Sequence, residues 1–176
     1  MTDIGLWTIA TAEPERTAVI EPGGRAVSYA ALAARADQYG RGLQALGLRP
    51  GDCVAGMLPN GTEALALFFA AIQTGLYVVP VNWHLAAAEV AYILGDSGAG
   101  AFVAHERFGA VAADAAGQAG IDPGARFAVG AIPGFTPLSA LGAAGTRCPR
   151  CGPRSTAPRP ARRTSSGRCW TGGGRW

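Results

Sequence analysis

The residues best suited to chemistry by type and spacing lie in the last thirty positions of the 176-residue chain. Cys148-Pro149-Arg150-Cys151 has the separation of a zinc knuckle, in which two thiolates take neighbouring corners of a metal tetrahedron. A closed site needs four ligands, and this stretch adds only Cys169 and no histidine. The same spacing suits a redox pair, but no helix follows to lower a thiol pKa. Thr164-Ser165-Ser166-Gly167-Arg168 offers hydroxyls and a glycine, the donors a phosphate-cradling loop requires. No apolar strand precedes it to aim it, and no lysine ends it. Thr171-Gly172-Gly173-Gly174-Arg175 could touch an anion, but no helix start follows.

Other candidates are isolated. His84 follows Trp83 at a helix entrance and His105 ends a strand, each without a second histidine or a cysteine–carboxylate group beside it. Both read as loop or packing residues. Glu89 and Asp96 flank a helix, which suits capping and solvation better than acid–base work. Trp7 and Trp83 read as packing residues, and Cys53, alone in an apolar run, as a small buried hydrophobe. No residue is therefore assigned as catalytic, cofactor-binding or metal-binding.

Charge divides the chain. Residues 1–146 hold seven arginines against twelve acids, a formal charge of −5; residues 147–176 hold eight arginines and no acid, +8. All fifteen basic residues are arginine. The lack of lysine excludes Schiff-base, general-base and phosphate-gripping lysine chemistry. The basic tail attracts nucleic acid electrostatically, but its arginines are separated by Pro, Gly, Ser and Thr and form no helix face. Specific nucleic-acid binding is not expected. Asp3, Glu13, Pro14 and Glu15 break any secretory signal in Met1–Ile20. No run approaches the roughly 20 apolar residues of a membrane span. The expectation is a soluble cytoplasmic protein.

The elements that position these residues are legible up to about residue 146. A short helix in Met1–Ala12 precedes a hairpin of Thr17–Ile20 and Ala26–Tyr29, turned by Pro22-Gly23-Gly24. Ser28 caps a helix whose stripe is Leu32, Ala36, Tyr39, Leu43 and Leu46; Asp37 and Arg41 are four apart on it and placed to pair. Gly47 stops it. Cys53–Leu58 is a strand, and Pro59-Asn60-Gly61 turns into a helix over Glu63–Thr74, capped by Thr62. That helix is apolar almost all round and is expected to be buried. Leu76–Val81 reads as a strand covered on both faces. Asn82–Leu85 is a loop and Ala86–Leu94 a helix. A strand at Ala101–Ala104, a helix at Phe108–Ala119 and a weak strand at Arg126–Val129 follow. Strand and helix alternate at short spacing, so the fold class is α/β, a mainly parallel sheet with flanking helices. Residues 147–176 lack periodicity and carry dense like charge, which predicts a disordered Arg-rich tail.

The ordered block contains Ser28-Tyr29-Ala30-Ala31-Leu32, the run Gly42 to Ala55, Leu58-Pro59-Asn60-Gly61-Thr62-Glu63, Phe68–Gly75, Pro80-Val81-Asn82 and Glu89–Ser97. In that order and spacing these segments resemble the N-terminal region of the adenylate-forming superfamily, the acyl-CoA synthetases and related AMP-binding ligases. Weaker similarity extends from about residue 5 to about 145.

The resemblance implies a family that uses a carboxylic acid, ATP, Mg2+ and coenzyme A. It also implies a glycine-, serine- and threonine-rich phosphate loop ending in Pro-Lys-Gly, adenine and ribose motifs, and a late catalytic lysine. This chain contains none of these, so no family site residue is carried over. The expectation is an N-terminal subdomain at 1–146, inactive alone and without a cofactor of its own, followed by a basic tail at 147–176. The abrupt gain of Arg, Pro, Gly and Cys after residue 146 is what a shifted reading frame through GC-rich DNA would produce. Alternatives are a non-catalytic module docking on a full-length relative, or a nucleic-acid-associated protein using the tail. An incomplete unit is also expected to expose apolar surface and self-associate.

Overall fold

A computed structural model of the protein describes residues 5–142. The elements run α1 (Leu6–Ala12), β1 (Thr17–Ile20), β2 (Ala26–Ser28), α2 (Tyr29–Ala45), β3 (Cys53–Met57), α3 (Thr62–Thr74) and β4 (Tyr77–Pro80). They continue with α4 (Ala87–Asp96), β5 (Ala99–His105), α5 (Gly109–Gln118), β6 (Arg126–Val129) and β7 (Thr136–Pro137). The tail and its cysteine, serine and glycine motifs lie outside the described residues.

The sheet is parallel throughout, in the order β4-β3-β5-β6-β7, and β1-β2 form a separate antiparallel hairpin. The chain steps outward from β3 to β4, then crosses back over β3 to β5. Right-handed crossovers place helices on opposite faces when the direction reverses. Accordingly α3 packs with α2, and α4 with α5. The α/β class and the flanking helices are as the sequence predicts.

The core is built from β-branched, aromatic and small residues of the central strands. Val54, Met57, Phe102, Val103 and Phe127 have almost no exposed surface. Leu32, Ala36, Tyr39 and Leu43 carry α2 onto them, the stripe read from the sequence. Ser28 caps α2 through its hydroxyl, which accepts from the Ala31 amide.

Four local expectations are corrected. Thr62 does not cap α3: Gly61 occupies the cap, and the Thr62 hydroxyl donates to Glu21 instead. A carboxylate brought from the hairpin outcompetes the helix's own amides. The strand at 76–81 is not covered on both faces, because β4 lies at the sheet edge with Tyr77 66% exposed. The outward side of α3 is likewise open, with Phe68 45% and Ile72 53% exposed. Asp37 accepts from the Trp7 indole at 3.2 Å, and the ion pairs among the described residues do not include Asp37 with Arg41.

The end of the described chain is latched onto α2. Leu141 is fully buried against Gly42, and Gln38 Nε2 donates to the Ser139 carbonyl at 3.0 Å. A Cβ at Gly42 would lie 2.5 Å from the Gly142 nitrogen and 2.6 Å from Leu141 Cγ. Alanine normally improves a helix interior by about 1 kcal/mol over glycine. Here the backbone contact decides the sign. Gly42→Ala is expected to destabilise by about 1–3 kcal/mol through overpacking. Gly95→Ala on α4, where a Cβ meets nothing within 4 Å, is expected to stabilise by about 0.5–1 kcal/mol. Urea midpoints of the two variants check both signs.

Candidate functional site

Polar side chains converge where α2, the first turn of α3 and the end of β6 meet. Arg35 and Tyr39 are four apart on one face of α2, and Glu63 is the second residue of α3. The helix start favours its negative charge. Arg35 Nη1 lies 2.6 Å from Glu63 Oε1, and the Tyr39 hydroxyl donates to Glu63 Oε2. Tyr39 is 4% exposed. Burial, then the hydrogen bond and negative charge of Glu63, push its hydroxyl pKa well above the usual tyrosine value.

A second carboxylate continues the network. Glu21, at the hairpin turn, accepts from Thr62 Oγ1 at 2.5 Å and from Arg25 Nη2 at 2.6 Å. The Thr62 bond, then the Arg25 bond, lower its pKa. These contacts staple the hairpin to α3.

Beside Arg35, Gln38, Tyr39 and Glu63 lies a cleft of about 260 Å³, closed by Gly130 and Ser139. It opens beyond the carboxyl end of β6, the side on which open parallel sheets bind ligands. Both Glu63 oxygens are engaged and the Tyr39 hydroxyl donates to one of them. No buried side-chain N or O among the described residues lacks a partner. The network ties α2 and the hairpin to α3.

A larger apolar groove of about 820 Å³ lies between α3, β4 and the loop after β4. Trp83 forms one wall and stacks on Phe108, with centroids 5.6 Å apart and rings 8° from parallel. The two histidines, isolated in sequence, flank this stack: His84 is 5.9 Å from Trp83 and His105 is 6.4 Å from Phe108. The His84 amide donates to Asn82 Oδ1, and His105 Nδ1 accepts from the Arg107 amide. The His84 contact is made by its main chain, and the His105 imidazole accepts from an amide two residues on.

The remaining candidates do not converge. Glu89 accepts from the Ala86 amide at 2.8 Å and caps α4, while Asp96 closes that helix in solvent. Trp7 packs edge-on against Phe69. Cys53 is half-buried rather than buried. No group of three His, Cys, Asp or Glu suited to a metal occurs among the described residues, and no described helix is long and apolar enough to cross a membrane. The Arg35–Tyr39–Glu63 cluster is not legible in the sequence, because its members are up to 28 positions apart. Its one signal is a lone acid opening an otherwise apolar helix.

Three comparisons with known proteins bear on this arrangement. The profile of the AMP-binding enzyme family matches residues 6–132. A feruloyl-CoA synthase of Amycolatopsis sp is 41% identical over 118 residues, covering 65% of this chain and 24% of that protein. The long-chain-fatty-acid–CoA ligase FadD13 of Mycobacterium tuberculosis is 42% identical over 90 residues, covering 51% of this chain and 18% of the ligase. In fold, the chain superposes on the anthranilate CoA ligase AuaEII with a TM-score of 0.70 at 24% identity, over 77% of this chain and 25% of that one. The chain thus spans a quarter or less of the length of these proteins.

Proposed function

Because the chain belongs to the AMP-binding enzyme family, we propose that it is the opening α/β unit of an ATP-dependent acyl-CoA synthetase and that its 176 residues form no acyl-adenylate alone. In the full reaction a carboxylate oxygen attacks the α-phosphorus of ATP, and pyrophosphate leaves. The coenzyme A thiol then attacks the acyl carbon, a thioester forms and AMP leaves. The observation that carries the reading is the family match over an α/β unit whose polar cleft is spent on internal pairing. The chain has no lysine to neutralise a phosphate. Substrate acid, ATP and coenzyme A belong to the full-length reaction. A cytoplasmic location and the division at residue 146 belong to the same proposal.

The test is pyrophosphate release by the full chain with ATP, Mg2+, coenzyme A and a panel of aromatic and long-chain acids. The expected result is no release above a heat-treated control; turnover with any acid overturns the reading. A separate check concerns the change of composition. Translating the other two frames beyond codon 146 is expected to restore Thr-Ser-Gly-Thr-Thr-Gly-x-Pro-Lys-Gly within a few tens of codons. If neither frame does so, the frame-shift explanation fails.

A further inference from the structure

The chain has two asparagines, both exposed, which follow the carboxyl ends of the neighbouring strands β3 and β4. Asn82 is held. Its Oδ1 accepts from the His84 amide at 3.0 Å, the ring closure of an Asx turn. The residue after it, Trp83, is pinned by its stack on Phe108. Asn60 has neither restraint. Its carboxamide makes no hydrogen bond among the described residues, and the residue after it is Gly61.

The position of the helix start explains the difference. An asparagine at a helix cap is locked, because its side-chain oxygen accepts an amide of the first turn. Asn60 stands one residue too early. Gly61 is the cap of α3, and no side chain caps that helix. The Gly61 carbonyl is engaged, accepting from the Leu65 amide at 3.2 Å, but its own amide donates to nothing among the described residues. A Cβ at Gly61 would meet nothing within 4 Å, so the approach to this peptide group is open. Glycine adds no side chain to obstruct it and leaves the peptide free to rotate.

We propose that Asn60-Gly61 is a self-modifying site, at which the folded chain converts Asn60 to aspartate and isoaspartate without an enzyme. The Gly61 nitrogen loses its proton to solvent base and attacks Asn60 Cγ. The new N–C bond closes a succinimide ring, and the side-chain nitrogen leaves as ammonia. Water then opens the ring at either carbonyl. Cleavage at Cγ leaves aspartate in an ordinary main chain. Cleavage at the main-chain carbonyl routes the chain through Cβ and Cγ as isoaspartate. Nothing is oxidised or reduced. Either product puts a carboxylate on the wall of the apolar groove, which Asn60 lines. Isoaspartate also adds a main-chain carbon just before Thr62 and Glu63, whose side chains hold Glu21, Arg35 and Tyr39. The change therefore strains the contacts that tie α2 and the hairpin to α3. The freed α-carboxylate is the group that an isoaspartyl methyltransferase esterifies with the methyl of S-adenosylmethionine.

The test ages the full chain in mildly alkaline buffer made with heavy-oxygen water, once natively and once unfolded in urea. Peptide mass spectrometry with fragmentation locates the change, and labelled S-adenosylmethionine with an isoaspartyl methyltransferase counts isoaspartate. In the native chain Asn60 is expected to convert at least tenfold faster than Asn82, gaining one heavy oxygen, at a rate within tenfold of that in urea. Gly61→Ala should slow the conversion at least tenfold. Mildly acidic buffer should do the same, because the attacking nitrogen must first lose its proton. Native protection of Asn60 beyond tenfold overturns the inference. So does equal conversion of the two asparagines, or of Gly61→Ala and the wild type. The outcome does not depend on the family reading: pyrophosphate release by the chain would overturn the inactivity proposal and leave this one standing.

Discussion

Phe102→Ala is expected to remove at least half of the folding stability at 25 °C. Phe102 sits on β5, the middle strand of the sheet, with no exposed surface, and meets Phe135 edge-on at 6.0 Å. Its neighbours on the paired strands, Ala55 and Arg126, are fixed by the parallel register and do not swing in to fill the void. Truncating a buried phenylalanine costs about 3–5 kcal/mol in lost transfer energy plus a cavity. A domain of this size starts from about 5–15 kcal/mol, and one with an open apolar face belongs at the lower end. Urea titration followed by circular dichroism should show the midpoint fall by half or more. Tyr92→Ala, at a 70% exposed site, should move stability by less than about 0.5 kcal/mol. Similar small shifts in both variants would refute the packing described for β5.

The second large effect is alkaline. Tyr39 keeps its proton in the folded state well above the ordinary tyrosine value of 10.0, because burial and Glu63 disfavour the phenolate. In the unfolded chain the same hydroxyl ionises from about pH 10 upward. Above that pH the folded state binds the extra proton, so stability falls as pH rises, by about 1.4 kcal/mol per pH unit. Below about pH 10 both states are protonated and this contribution is complete. Tyr39→Phe should remove that slope, at a cost near neutrality of about 1 kcal/mol for the lost hydrogen bond. The absence of lysine means that no side-chain ammonium group titrates over the same range. Urea midpoints between about pH 8 and 11 provide the measurement, and equal slopes in both proteins would exclude the assigned environment. At the acid end, Glu21 has a lowered pKa from Thr62 and Arg25. Its contribution is present above the usual carboxylate value and is lost as pH falls through the folded one.

The helices and strands are legible in the sequence because glycine and proline punctuate them and because periodicity reports which side chains need cover. The α2 stripe and the Ser28 cap are local properties, settled within one or two turns. Periodicity does not report whether cover is present. Leu76–Val81 and Glu63–Thr74 both demand burial, and both lie at a boundary where the described residues supply only one side. Thr62 escapes a local reading for a related reason. Its hydroxyl is claimed by Glu21, 41 positions earlier, and no window of local sequence contains that competition. The Arg35–Tyr39–Glu63 cluster is hidden in the same way, since only the packing of α2 on α3 brings its members together. β7 is two residues long and ends in proline, below what alternation can signal.

The strand order has a kinetic meaning. β3 is the first strand of the sheet to leave a ribosome, and it lies between β4 and β5. Each later strand finds its pairing partner already synthesised: β4 and β5 on the two sides of β3, then β6 on β5 and β7 on β6. The sheet can therefore grow outward from a seed in the order of translation, with no strand waiting for a partner far downstream. Synthesis at about 5–20 residues per second gives each crossover a second or more to close before the next appears. The folding nucleus would then form around Cys53–Met57 with Ala99–His105, and the ribosome itself would set the sequence of assembly.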